Sequence, residues 1–312
     1  MSTAGRPILV IGSANMDLSV CAAAIPGPGE TVLGANFAAS PGGKGANQAA
    51  AAGRLGGDVR FAGRVGSDPF GAQLRVSLEE SGVDCRLLDV ARDVATGVAL
   101  ITVSNSGENA ITVAAGANGC MDEAAVALLA DEILDCGLLL MQLEIPLAAV
   151  RAAAGLPRRT GSRFILNPAP YNAGIELEWL SGVSLITPNE HEAAALLKCK
   201  PADILRDPGA AAAELRRLVA DAAIITLGSL GYAIAGPNGV HLGPGMVTNE
   251  VDTTAAGDCF NGALAVALSE GAELYEAAHW ANEVAAISVT RHGAQASLPW
   301  RSEAPVLVRR AN

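Results

Sequence analysis

Val251-Asp252-Thr253-Thr254-Ala255-Ala256-Gly257-Asp258-Cys259-Phe260-Asn261-Gly262 carries a strand-like segment through a run of small residues into an apolar helical pattern. Small side chains let backbone N–H groups approach an anion, and a helix that begins here adds its positive N-terminal end. Asp258 falls in the first turn. A carboxylate beside an anion hole is placed to take a proton from an alcohol attacking a phosphoryl group. The alternative makes Asp258 an ordinary first-turn acid and the small residues a packing requirement; spacing alone leaves both open. The helix is expected over 257–269, with a second over 273–290.

Outward from that turn, short β-rich apolar runs alternate with longer helical patterns, which predicts βαβ units around a mainly parallel sheet. Strands are expected at 8–12, 59–63, 138–143, 163–166, 184–187 and 223–227. Helices are expected at 44–55, 69–80, 122–134, 190–197 and 208–219, the second with Asp68 as N-cap and Pro69 in its first turn. The pattern is doubly wound α/β. Two stretches depart from it, 18–39 and 96–114, each reading as a pair of short strands joined by turn residues, with Ser104-Asn105-Ser106-Gly107 as the second turn. No Ser/Gly/Pro tract divides the chain, so a single domain over 1–312 is expected, with a small β lid from about 15–39 and 96–114.

Half of the 312 residues are hydrophobic and 4 % aromatic, enough for one large aliphatic core or two smaller ones. A net charge of -11, with no Lys/Arg run longer than a pair, offers nothing to a nucleic-acid backbone. A nucleotide site on such a chain must be built from local backbone donors and metal ions. The cysteines lie at wide spacings without C-x-x-C, and no histidines are paired at metal-ligand spacing; they read as reduced thiols of a cytoplasmic protein. Ile8 to Ile11 is too short for a signal-peptide core, and the longest apolar run, 138–150, is broken by Gln142, Glu144 and Pro146, so no membrane span is expected.

Pro41-Gly42-Gly43-Lys44-Gly45-Ala46-Asn47-Gln48 opens a helix with glycines, which allow positive φ and close backbone approach to a ligand; Lys44 and Asn47 can bond to hydroxyls. It is not a Walker A loop, because Gly45 follows Lys44 and Ala38 stands where the first glycine belongs. The glycines read equally as turn punctuation. Asn15 and Asp17 follow the first strand at alternate positions, so both face one way and suit vicinal hydroxyls, or else form an Asx turn. Glu144 closes an apolar strand, either toward a ligand or toward solvent. Asn189 and Glu192, in N-E-H-E, suit a carboxylate acting on hydrated Mg²⁺, and Asn189 also suits an N-cap; both can hold.

The motifs are G-S-A-N-M-D from Gly12, G-G-K-G-A-N-Q-A from Gly42, N-E-H-E from Asn189 and D-T-T-A-A-G-D-C-F-N-G-A from Asp252. Between and after them stand T-G-V-A-L-I from Thr96, G-E-N-A-I from Gly107, A-G-A-N from Ala115, L-L-M-Q-L-E from Leu139, N-P-A-P from Asn167, T-L-G-S-L-G from Thr226 and V-T-R-H-G-A-Q-A-S-L-P-W from Val289. In this order they resemble the ribokinase (PfkB) carbohydrate kinase family over nearly the whole chain, in its ribokinase branch. The resemblance implies a ribokinase-like fold and ATP-dependent phosphorylation of the 5-hydroxyl of D-ribose to D-ribose 5-phosphate. It implies sugar binding by Asn15, Asp17, Gly43, Lys44, Asn47 and Glu144, with Asp258 as base and Ala255, Ala256 and Gly257 as anion hole. Asn189, Thr226, Gly228, Ser229, Gly231, Gly257 and Asn282 would line the ATP site, with Glu192 organising Mg²⁺ through water. A monovalent-cation site, usually K⁺, is implied near Asp252, Thr254, Ser288, Arg291, Gly293 and Ser297, mostly through backbone carbonyls. Apolar lid faces (Val32, Leu33, Phe37; Val98, Leu100, Ile111, Val113) are costly to leave bare, and with the resemblance they predict a homodimer through the lid.

Two other readings stand beside this one. A sibling kinase would act on a nucleoside, 2-deoxyribose or fructose. A catalytically silent sugar-binding regulatory protein could use the same fold, but the retained Asp258, small-residue loop and Asn189/Glu192 pair argue against it.

Overall fold

A computed structural model describes residues 7–175 and 177–308. In chain order its strands are β1 (Ile8–Ile11), β2 (Asn15–Ala22), β3 (Ala35–Gly42), β4 (Val59–Gly66), β5 (Val83–Asp84), β6 (Leu88–Ala91), β7 (Gly97–Ser104), β8 (Asn109–Ala114), β9 (Leu138–Met141), β10 (Arg163–Leu166), β11 (Leu185–Ile186), β12 (Ala222–Thr226), β13 (Gly231–Gly236) and β14 (Gly239–Pro244). The main sheet runs β14-β13-β12-β11-β10-β9-β1-β4-β5, with β6 also on β4. From β5 to β12 the pairings are parallel.

The central strands β1 and β9 are unbroken apolar runs because both faces are covered, whereas β4 carries the half-buried Arg60 and Arg64. Ile8 and Val10 of β1 enter the core beneath the helices Lys44–Arg54, Ala256–Ser269 and Leu274–Ser288. Leu9 and Ile11, pointing the other way, enter a second core beneath Leu147–Gly155, Glu190–Leu196 and Pro208–Arg216. Leu138 and Leu140 divide from Leu139 and Met141 in the same period of two. Of the two possibilities, one large core or two smaller ones, the second holds, the two cores being the two faces of one sheet. Among the described residues no helix is long and apolar enough to cross a membrane.

Several elements differ from expectation, β5, β6 and the helix Pro201–Arg206 being unexpected altogether. The helix at 122–134 is two short helices, Glu123–Ala127 and Ala130–Asp135, because the ladder tightens to a Leu129 N–H to Val126 carbonyl bond between them. The helix Leu147–Gly155 was hidden within the apolar run that starts at β9. β13 and β14 form an antiparallel hairpin at the sheet edge, turned by Pro237-Asn238-Gly239, which makes the sheet mixed.

The second sheet is β3-β2-β7-β8, in which β2 runs parallel to β7 while the outer pairs are antiparallel. β7 and β8 turn where expected. β2 and β3 are joined by a long excursion over 23–34, and β2 starts at Asn15, directly after the end of β1, so the root of this small sheet is also the start of the site. β8 is exposed throughout.

Candidate active site

The carboxyl ends of β1, β9, β10, β11 and β12 deliver Ser13, Glu144, Asn167, Asn189 and Thr226 to one rim. Strand order reverses at β1, between β4 and β9, where open α/β sheets bind ligands. The helices Lys44–Arg54 and Ala256–Ser269 both begin at this rim.

Asn15 and Asp17 share one face of β2, opposite the buried Met16. Asn118 fixes the first of them: its Nδ2 donates to Asn15 Oδ1 at 2.7 Å and to the Ala14 carbonyl at 3.1 Å, and its Oδ1 accepts the Ala14 N–H at 2.9 Å. Glu144 Oε2 accepts from Ser13 Oγ at 2.7 Å, the Lys44 N–H at 3.0 Å and Asn15 Nδ2 at 3.5 Å. Glu144 thus caps the helix that Gly43 opens, as an anion at a helix N-terminus. Gly43 has φ 88, and a Cβ there would meet the Asn15 N and Ala14 Cα atoms within 3 Å. Only glycine fits that turn. A Cβ on Gly42 would collide with the Asp17 carboxylate.

Asp258 is buried in the first turn of Ala256–Ser269. Its Oδ2 accepts from Asn47 Nδ2 at 3.0 Å and its Oδ1 from Gln48 Nε2 at 2.9 Å. Complete burial pushes its proton affinity up, against the pull of Lys44 and the two amide donors. Asp17 is raised to about 7, by burial first and then by the Glu144 and Asp258 charges. Lys44 is held above the ordinary lysine value, chiefly by Asp258. These shifts describe crowded carboxylates sharing one ammonium, the environment in which a carboxylate becomes a serviceable base.

Ala255 precedes the helix with φ 61 and ψ 12, a left-handed conformation costing an alanine about 1 kcal/mol. The Ala256 N–H is not free for an anion, since it donates to the Thr253 carbonyl at 3.1 Å. The expected three-residue hole therefore narrows toward Gly257, whose missing side chain faces open space.

Beyond Gly257 lies a cleft of about 270 Å³ lined by all seven residues expected for the nucleotide: Asn189, Thr226, Gly228, Ser229, Gly231, Gly257 and Asn282. Thr253, from the motif that starts at Asp252, also lines it, as do Met246, Thr248 and Glu250, from a loop without the spacing that marks a motif. Asn282 Nδ2 donates to the Pro244 carbonyl at 3.1 Å. Asn189 and Glu192 form a reciprocal capping box: Glu192 N–H to Asn189 Oδ1 at 2.8 Å, and Asn189 N–H to Glu192 Oε2 at 2.9 Å. Burial raises the proton affinity of Glu192, opposed by that Asn189 bond.

Asp252 binds the small-residue loop to the segment after Leu274–Ser288. Its Oδ1 accepts the Thr254 N–H at 2.9 Å and its Oδ2 the Gly293 N–H at 2.8 Å, while the Val251 and Asp252 N–H groups share the Val289 carbonyl. Arg291 pairs with Glu303 at 2.6 Å; Ser288 Oγ and Ser297 Oγ donate to the carbonyls of Ala285 and Ala294.

Sequence reading assigned no role to Ser13, Gln48, Asn118 or Asn167. Each lies inside a quoted motif, which was the available signal, with Ser13 and Asn167 also at strand ends; their partners, distant in sequence, were not legible.

This geometry, a doubly wound sheet with a buried carboxylate at the N-terminus of a helix beside a cleft, defines a phosphoryl-transfer site acting on an alcohol. The family described as pfkB family carbohydrate kinase matches residues 6–301, and the chain belongs to it. The chain is 38 % identical to the ribokinase of Haemophilus influenzae over 298 residues, 96 % of this chain and 97 % of that protein. It superposes on the ribokinase of Thermotoga maritima with TM-score 0.85 and 35 % identity, over 96 % of this chain and 97 % of that one. An Arabidopsis thaliana ribokinase solved with ribose and ATP gives TM-score 0.84 at 29 % identity, covering 97 % of each chain. The protein is an ATP-dependent sugar kinase of the ribokinase family.

Proposed function

We propose that the sugar is D-ribose and that the kinase transfers the ATP γ-phosphoryl group to its 5-hydroxyl. The observation that carries this reading is the buried Asp258 carboxylate at the start of the helix bordering the cleft, with Asn15, Asp17, Lys44 and Glu144 gathered on its other side. In this mechanism Asn15, Asp17, Gly43, Lys44, Asn47 and Glu144 hold the hydroxyls. Asp258 takes the proton of the attacking hydroxyl, and the first turn at Ala255 to Gly257 receives the transferred charge, after a small rearrangement at Ala256. ATP occupies the cleft at Asn189, Thr226, Gly228, Ser229, Gly231 and Asn282.

The residues present fit the implied ions. Glu192 uses Oε2 in its cap, leaving Oε1 for a water on Mg²⁺, which needs few protein ligands. For K⁺, Asp252 accepts the Gly293 N–H and its own N–H reaches the Val289 carbonyl, which supports a site between this loop and the segment that carries Ser288, Arg291, Gly293 and Ser297; with the Arg291 side chain on Glu303, the groups offered to the ion would be backbone carbonyls. The ions supply charge neutralisation at the phosphates and order in the loop.

The chain is proposed as one domain whose small sheet is the lid and the seat of a homodimer, because Phe37, Leu100, Ile111 and Val113 are at least half exposed there. A monodisperse monomer in light scattering at micromolar concentration would count against the dimer. Six unpaired cysteines support a cytoplasmic setting. The substrate is tested by a coupled ADP-release assay over ribose, 2-deoxyribose, fructose and nucleosides: ribose is expected to give the highest kcat/KM, and a tenfold preference for another acceptor would replace it.

A further inference from the structure

The polar side chains beneath Asp258 form a directed chain whose polarity is set by a group that can only accept. Asn167 Nδ2 donates to the Thr187 carbonyl at 2.9 Å, so Asn167 turns Oδ1 toward Gln48 and receives Gln48 Nε2 at 3.0 Å. Gln48 must therefore present its amide nitrogen, and its second hydrogen goes to Asp258 Oδ1 at 2.9 Å. Gln142 Nε2 donates to Gln48 Oε1 at 2.6 Å, in keeping with that orientation. From Thr187 the chain continues: Oγ1 donates to Asn261 Oδ1 at 2.6 Å, and Asn261 Nδ2 to the Gly257 carbonyl at 2.8 Å. Gln48, Asn167, Thr187, Asn261 and Gln142 are all buried. The line from Asp258 to Gly257 runs in one direction, set by the Thr187 carbonyl and the Asp258 carboxylate, while Gln142 Oε1 and Asn47 Oδ1 beside it are buried without a partner.

We infer that Gln48 is a positioning residue that orients the Asp258 carboxylate and stabilises its charged form, and that Asn167, Thr187 and Asn261 tie this base to the helix turn holding Gly257. With Asn47 on Oδ2 and Gln48 on Oδ1, the carboxylate plane is fixed from two sides. The inference rests on Asp258 acting as the base. The charged and titratable groups facing Asp258 are Lys44, Asp17, Glu144, Glu192 and, on its own helix, Cys259. A donor to the carboxylate opposes the rise that burial imposes, so removing it raises the proton affinity further and moves the acid limb of activity to higher pH.

The test is the pH profile of kcat at saturating sugar and ATP, using the sugar that the wild type turns over fastest, so that groups acting through sugar binding, Asp17 among them, drop out. Gln48→Leu keeps the volume and loses the donor. Its acid limb is expected to move up by about one pH unit, with kcat lower by roughly 10- to 100-fold and sugar KM changed by less than about 3-fold. Thr187→Val keeps the Thr187 carbonyl and cuts the link to Asn261, together with the long contact of Oγ1 to the Leu166 carbonyl at 3.5 Å; its kcat should fall a few-fold with the limb in place. If Gln48→Leu does not fold, Asn167→Leu frees the Gln48 amide and should shift the limb the same way by less. An unmoved limb in the folded Gln48 variant, an equal shift in Thr187→Val, or a loss confined to sugar KM overturns the inference. A wild-type profile without an acid limb overturns both Asp258 as base and the role of Gln48, whereas a normal wild-type limb that Gln48→Leu leaves in place overturns Gln48 alone.

Discussion

On the proposed acceptor side the scaffold grips the carboxylates: Asp258 is held by Asn47 and Gln48, and Glu144 by Ser13, Asn15 and the Lys44 N–H. The proposed nucleotide cleft is lined instead by Gly228, Gly231 and Gly257 together with a mixture of short and long side chains, Thr226, Ser229, Met246, Glu250 and Phe260 among them. One side is organised before any ligand arrives; the other offers backbone and space. For a kinase this division is physically sensible, since the reacting hydroxyl must be aligned with its base, whereas a polyphosphate is met by N–H groups and ions.

The largest expected effect strikes the organised side at its centre. Asp258→Asn should lower kcat by roughly 10²- to 10⁴-fold while sugar affinity measured by calorimetry stays within about 3-fold; near-normal turnover in a folded variant would break the comparison. Glycines on the two sides should then respond differently. Gly43→Ala forces a Cβ onto the Asn15 and Ala14 backbone at φ 88, and should raise sugar KM by roughly 10-fold or more and lower stability by about 1–3 kcal/mol. Gly228→Ala has positive φ but no neighbour within 4 Å, so it should cost about 1 kcal/mol and leave sugar KM alone. Equal effects on sugar KM would erase the distinction.

A smaller effect follows from crowding. Asp17 holds its proton up to about 7 in the folded chain, against 3.8 as its ordinary value, so between those pH values the folded state binds a proton that the unfolded chain has released. Stability from this group therefore falls as pH rises through that window. Asp17→Asn should be more stable than wild type by roughly 1–2 kcal/mol at pH 8 and little different at pH 4, while binding sugar more weakly. Denaturant titrations across that range check it, and a constant difference between the two proteins would contradict it. The smallest effect belongs to Glu192→Gln, whose amide oxygen keeps the cap on Asn189: the Mg²⁺ concentration needed for half-maximal rate should rise while sugar KM does not.

How much of this could be read in the sequence follows the same division. Strands covered on both faces left short, largely apolar runs, so β1, β4, β9, β10, β11 and β12 were legible even with Arg60 and Arg64 in β4, whereas β14, exposed at Val240 and Leu242, left a weak pattern despite Asn238-Gly239. Candidate side chains stood out wherever glycines or strand ends framed them. Their mutual bonds did not, because Gln48 and Asp258 lie 210 residues apart and Ser13 and Glu144 lie 131 apart, and no local pattern records a partner at that distance. The bond between Ala256 and Thr253 was equally invisible, being set by the left-handed turn at Ala255.

The account as a whole turns on which oxygen receives the phosphoryl group. Incubation of the protein with ATP, Mg²⁺, K⁺ and D-ribose, followed by phosphorus and proton NMR of the product, reads this directly. The account predicts a phosphate coupled to the two C5 protons of ribose. A phosphate on C1, or ADP formed at the same rate with no sugar phosphate at all, would contradict it.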